Sequence, residues 1–110
     1  MGQAVLRVAG LPVPPLDAAA VFHAEHLPLA RAALADADAL AIVFEPAGHE
    51  HRGWRLAAVQ ALARETASKR VNAVAGDDDG AIAQALTYLE TAPGITGQLL
   101  AVDGKSGKSA

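Results

Sequence analysis

The chain of 110 residues has 12 acidic and 9 basic side chains, which gives a formal net charge of −3. This length predicts one small domain, and the acidic balance argues against a nucleic-acid-binding surface, which needs a basic patch. The sequence has no cysteine, no apolar run long enough to span a bilayer and no secretory signal pattern, so we expect a cytoplasmic protein without membrane contact.

The first half of the chain predicts a strand, a helix and a second strand. Residues 4–9 and 39–45 are apolar runs typical of buried strands. Between them, Asp17 is placed to cap a helix that runs to about Asp36. Pro28 should kink or split that helix, because proline has no backbone N–H. The stripe predicted to face the core is Val21, Phe22, Glu25, Leu29, Ala32 and Ala33.

The second half repeats this alternation. An amphipathic helix from Trp54 precedes a strand at residues 70–75, a helix at 81–90 and a strand at 98–103. In the helix from Trp54, the residues predicted to face the core are Leu56, Val59, Leu62 and Ala63. The residues predicted to face solvent are Arg55, Gln60, Arg64 and Glu65. We expect residues 1–104 to form a single domain and residues 105–110 to be a disordered tail.

Four apolar strands that alternate with three helices indicate a parallel sheet built from βαβ units. The strands should pair in sequence order. Right-handed crossovers alone would place all three helices on one face of that sheet.

The segments also resemble one known family, the short-chain dehydrogenase/reductases. Residues 95–104, ITGQLLAVDG, are similar to the last strand of that family. Residues 70–76, RVNAVAG, resemble its Arg-Val-Asn-x-Val-x-Pro-Gly segment, and residues 56–67, LAAVQALARETA, resemble the helix that carries the catalytic lysine. Residues 4–10 resemble the strand that ends in Asn-Asn-Ala-Gly, and residues 29–48 resemble the helix and strand leading to the catalytic serine.

This resemblance implies a three-layer Rossmann-like half-domain of the α/β class, with a four-stranded parallel sheet in sequential order and three helices. In the family the last helix covers the opposite face of the sheet. We therefore expect the helices from Asp17 and Arg55 on one face and the helix from Ala81 on the other.

At the positions that match the family's catalytic groups, the side chains are different. Arg52 stands at the tyrosine and Leu56 at the lysine, while Pro46 or Ala47 stands at the serine. Leucine cannot lower the pKa of a phenol, and a guanidinium cannot act as a general acid at neutral pH. Two other family positions also differ: Arg7 and Val8 stand where the family has its paired asparagines, and Ala75 stands where it has the proline before Gly76.

The nucleotide-binding half of the family lies upstream of the point where this sequence begins. No Gly-x-Gly-x-x-Gly motif occurs in the sequence, and that turn is what seats a pyrophosphate at a helix N-terminus. We therefore predict no catalytic residues, no cofactor-binding residues and no bound cofactor.

Polar residues follow two of the predicted strands where ligands of parallel sheets usually bind. His49, Glu50 and His51 follow the second strand, and Asp77, Asp78 and Asp79 follow the third. A His-x-His pair with carboxylates could bind zinc or another divalent ion. The simpler interpretation is a polar loop and a helix cap, and on that interpretation we predict no metal. The metal-ligand candidates are His49, Glu50, His51, Asp77 and Asp79.

Three hypotheses about function follow. The favoured one is a non-catalytic domain that acts by association, as a homodimer or higher homo-oligomer or with a full-length dehydrogenase. It agrees with an apolar content of 52%, which is high for a small free domain. The contact would use the helices from Asp17 and Arg55 or the edge at residues 4–9. The alternatives are a small enzyme or ligand-binding domain using the strand-end crevice, and one part of a composite NAD(P)-dependent oxidoreductase.

Overall fold

The computed structural model describes residues 2–102 of the chain and places them in one α/β/α domain. Its strands are β1 (Gln3–Val8), β2 (Ala39–Phe44), β3 (Arg70–Ala75) and β4 (Leu99–Ala101). Its helices are α1 (Pro15–Val21), α2 (Leu27–Ala35), α3 (Arg52–Glu65) and α4 (Asp79–Glu90). A π-helical turn at Phe22–His26 joins α1 to α2, and a 3₁₀ turn at His49–His51 leads into α3. The predicted disordered tail lies outside the described residues.

The sheet has the predicted topology, with four parallel strands in the order β1-β2-β3-β4. All six residues of β2 are buried, which follows from its central place and from its continuous apolar sequence. Leu40, Ile42 and Phe44 point to one face of the sheet, and Ala41 and Val43 point to the other. The alternation gives the domain two cores, one on each face.

The helices divide between these cores as expected. α1, α2 and α3 pack over the first face, where Phe22, Leu34 and Val59 are buried against the strands. α4 covers the second face through Ile82, Ala85 and Leu89. The three-layer arrangement and the opposite placement of the last helix are confirmed, with α1, the π turn and α2 forming one continuous helix.

The start of this continuous helix differs from the prediction. Asp17 does not cap it; the helix begins at Pro15, Pro14 is the N-cap residue, and no side chain accepts a hydrogen bond there. Proline suits the first helical turn because its missing N–H would be unpaired there in any case. Asp17 instead lies in the first turn, where a carboxylate interacts favourably with the helix dipole.

Beyond Phe22, the predicted core stripe of this helix is right at Ala33, which packs against the first core, and wrong at Glu25, Leu29 and Ala32, which are exposed. Leu29 is 53% exposed, while Ala30 and Leu34 are buried. The cause is the π turn, in which the Leu27 N–H donates to the Phe22 carbonyl five residues earlier. The additional residue of the π turn shifts the buried positions by one. Pro28 lies in the first turn of α2, and the helix continues through it without a break.

None of the described helices has both the length and the apolar character needed to cross a membrane.

Candidate functional site

The carboxyl ends of the strands, where ligands of parallel sheets bind, carry the cavities of the described domain. A cavity of about 270 Å³ lies between the end of β1 and the start of α3, lined in part by Val8, Pro46 and His51. A smaller one of about 170 Å³ lies between α3 and the ends of β3 and β4, lined in part by Ala75 and Ala101. Arg55 lines both cavities, so it is the centre of the site.

Arg55 was predicted to face solvent, and that prediction is wrong. Its side chain is only 6% exposed. The guanidinium carbon lies 4.4 Å from the ring centroid of Phe44 and 5.9 Å from that of Trp54. Cation–π attraction to these two rings holds the group at the strand ends.

The position could have been found from spacing alone. Arg55, Val59 and Leu62 recur at helical intervals and are all buried. The sequence analysis nevertheless placed Arg55 in solvent, because charged side chains are usually exposed. A long side chain can bury its stem against aromatic rings and keep its charged end at a crevice.

The electrostatics around Arg55 are unusual for a buried cation. Burial lowers the pKa of Arg55, and the Glu45 carboxylate acts in the opposite direction. Yet Arg55 Nε has no hydrogen-bond partner among the described residues, and Glu45 Oε1 accepts instead from the Gly10 N–H at 3.0 Å. A guanidinium stays charged at neutral pH, so the site carries a buried positive charge with an unsatisfied donor.

His51 was one of the metal-ligand candidates, and in the structure it is buried and connects the loop at Val13 to Trp54 of α3. Nε2 lies 2.9 Å from the Val13 carbonyl, and Trp54 Nε1 donates to His51 Nδ1 over 3.1 Å. The two contacts assign the tautomer, because Nδ1 must accept and Nε2 must therefore donate. Both ring nitrogens are engaged within the protein.

The remaining metal-ligand candidates are not brought together. His49 and Glu50 are exposed and line different cavities, and Asp77 and Asp79 lie at the second face of the sheet. Asp78 caps α4 by accepting from the Ala81 N–H at 2.8 Å. Within residues 2–102, no three His, Asp or Glu side chains are arranged to hold a metal ion.

The positions that resemble the family's catalytic groups hold inert or exposed side chains. Arg52 begins α3 and is exposed. Leu56 points into the first core and packs against its buried residues. Pro46 and Ala47 are exposed at the end of β2 and line the cavities.

By contrast, several residues of the Arg-Val-Asn segment have clear structural roles. Asn72 is buried and ties down the loop before β4: its Nδ2 donates to the Ile95 carbonyl and its Oδ1 accepts from the Gln98 N–H, each at 3.0 Å. A side chain at Gly76 would place its Cβ 2.3 Å from the Val102 carbonyl oxygen, so only glycine fits there. These contacts connect β3 to the segments before and after β4.

The fold and site define a Rossmann-like α/β half-domain whose crevice lies at the carboxyl ends of the strands. The model of one family, described as short chain dehydrogenase-like protein, matches residues 6–102. The chain belongs to this SDR-like family. Neither the curated proteins nor the solved structures gave a significant match.

Proposed function

We propose that this chain is a non-catalytic member of the SDR-like family and acts by forming a homodimer. One observation carries the non-catalytic part. Among the described residues that line the strand-end cavities there is no serine, threonine, tyrosine, cysteine or lysine. Proton delivery of the family's kind needs a phenol whose pKa is lowered by an amine, and neither group lines the crevice within residues 2–102.

The dimer is supported by the position of β1 at the edge of the sheet. It pairs with β2 along one edge, and no strand within the described residues pairs with its other edge. On the face that carries α4, this helix accepts a hydrogen bond from Gln3 of β1, yet Val5 is 45% exposed. An open edge with an apolar side chain readily pairs with another strand.

A second copy of the chain fits this edge by symmetry. If two β1 strands pair antiparallel about a two-fold axis at Val5, each Val5 faces its own counterpart. Arg7 then faces Gln3 of the second copy, so that no like charges are opposed, and Ala4 faces Leu6. An interface of this kind needs only one self-complementary surface, and it would extend the sheet to eight strands.

Light scattering coupled to size exclusion tests the dimer at low micromolar concentration. We expect twice the chain mass of 11.2 kDa. Val5→Lys should give the single-chain mass, because it opposes two ammonium groups across the pair. Ala57→Glu is the matched control: it adds a charge to the exposed face of α3 and should leave the dimer intact.

The opposite pattern, with Ala57→Glu monomeric and Val5→Lys dimeric, would move the interface to the helical layer. A monomeric wild-type chain would disprove the dimer. Circular dichroism of each variant confirms that it is folded.

Fluorescence titration of NADPH tests the non-catalytic part separately. We expect no saturable binding at micromolar protein concentration, because no described residue provides the amine or phenol of the family's site. Saturable binding, or oxidation of NADPH by a carbonyl compound in the presence of the protein, would disprove it. Neither result depends on the oligomeric state.

A further inference from the structure

We propose that the smaller strand-end cavity binds a small carboxylate through the guanidinium of Arg55. The proposal does not rest on the dimer: a monomeric chain that bound the anion would disprove the dimer and leave this site standing.

The first support is the unsatisfied charge. Arg55 is 6% exposed and its Nε lacks a hydrogen-bond partner among the described residues. The Glu45 carboxylate interacts with the guanidinium through its charge but leaves that donor unsatisfied. Leaving a buried charged donor unpaired costs free energy. An anion in the cavity would accept from this group and remove that cost.

The second support is preorganisation. Phe44 and Trp54 contact the guanidinium, and His51 fixes the Trp54 ring by accepting its N–H. The cation is therefore held in place before a ligand arrives. A planar guanidinium matches the two oxygens of a carboxylate in a bidentate pair.

The third support is the lining of this cavity, which distinguishes it from its neighbours. Its charged and titratable groups are Arg52, Arg55, His49 and His51, and among the described residues no carboxylate lines it. The other cavities are lined by Glu45, Glu50 or Asp77, which would repel an anion. Of these four cavities, as lined by the described residues, this one is the most favourable for a negative charge.

The remaining wall sets the size and character of the ligand. Ala75, Leu99 and Ala101 give it an apolar side. Its volume of about 170 Å³ is that of roughly six water molecules at about 30 Å³ each. These features fit a short aliphatic acid whose carboxylate meets Arg55 and whose chain lies against the apolar wall.

Trp54 is the only tryptophan and reports on the site directly. Sodium butyrate is titrated into the protein while its fluorescence is followed, with sodium chloride at equal ionic strength as the reference. We expect a saturable change with butyrate alone. Arg55→Met should weaken binding by about tenfold or more, the effect of losing a charge-assisted hydrogen bond.

Arg64→Met is the matched control, since Arg64 is exposed on the same helix, and it should bind as the wild type does. Arg55→Lys keeps the charge without the planar fork and should be intermediate. Because Arg55→Met also alters the surroundings of Trp54, backbone amide NMR shifts provide a second measurement of affinity.

Three results would disprove the proposal. The wild type could show no saturable response beyond that to chloride. Arg55→Met could bind butyrate as tightly as the wild type. Inorganic phosphate could bind as tightly as butyrate, which would show that the site recognises charge without a carboxylate.

Discussion

Two polar side chains at the crevice, His51 and Arg55, are buried. A substitution of His51 tests how much its two hydrogen bonds contribute to stability. Replacing it with phenylalanine keeps the ring but leaves the Trp54 N–H and the Val13 carbonyl without their partner. We expect His51→Phe to lower the free energy of unfolding by about 1–3 kcal/mol, measured by urea denaturation. His49→Phe is the control, because His49 is exposed and should change stability by less than about 0.5 kcal/mol. Equal effects of the two variants would refute the bridging role.

Arg31 and Glu65 join α2 to α3 and give the protein one pH-dependent contact. Arg31 Nε and Nη2 each donate to a Glu65 carboxylate oxygen at 2.8 Å. The hydrogen bond from Arg31 lowers the pKa of Glu65 below its ordinary value of 4.5, and the charge of Arg31 adds to that effect, while desolvation opposes it. A lowered pKa stabilises the folded state above the ordinary value, and this stability is lost as the pH falls through the lowered pKa.

We therefore expect Glu65→Gln to be less stable than the wild type at neutral pH, by a small amount because the pair is exposed. The difference should disappear as the pH falls below the lowered pKa. Urea denaturation at a series of pH values measures it. Glu25→Gln, at an exposed site on the π turn, is the control. A difference that is independent of pH would contradict the ion-pair explanation.

Among the secondary-structure elements, the π turn determines which residues of its helix face the core. Phe22 and Ala30 are both buried, yet eight residues at about 100° each would place them about 80° apart around a regular α-helix. The underwound turn brings both to the core. Deleting the exposed Ala24 would leave them seven positions apart, which is about 20° from two full turns.

Deletion of Ala24 should therefore convert the π turn to regular helix and keep Phe22, Ala30 and Leu34 buried. We expect a folded protein with a modest loss of thermal stability. Deletion of the exposed Ala32 in α2 is the control, because it turns Leu34 away from the core and should cost several kcal/mol. Thermal unfolding followed by circular dichroism compares the two. If the Ala24 deletion were the more damaging, the turn would have a role beyond register.

At the scale of the whole molecule, the proposed dimer links folding to concentration. A partner that binds only the folded state raises the apparent stability by mass action. We expect the melting temperature of the wild type to rise between low and high micromolar protein, and that of Val5→Lys to stay constant. Calorimetry over that range measures both. A constant value for the wild type would contradict a dimer that dissociates as it unfolds.

Much of the fold could be predicted from the sequence. Period and composition identify four buried strands, because both faces of a parallel sheet are covered and its strands are apolar throughout. Resemblance to the family placed α4 on the opposite face from α3, which the handedness rule alone would not have done. The identities of Arg52 and Leu56 likewise indicate that the side chains at the family's catalytic positions are replaced.

The sequence by itself thus determined the topology. Strands that alternate with helices along the chain form βαβ units, and successive βαβ units place the strands side by side in sequence order. Tertiary structure alone decided which partners hold polar side chains in the interior. The spacing of α3 places Arg55 among buried positions, but the contacts of Arg55 and His51 come from Phe44 and Val13, which are remote in sequence and close only after folding. The π turn was missed for a related reason. The π turn allows Phe22 and Ala30 to pack against the sheet at the same time. The local sequence does not show that both residues must be buried.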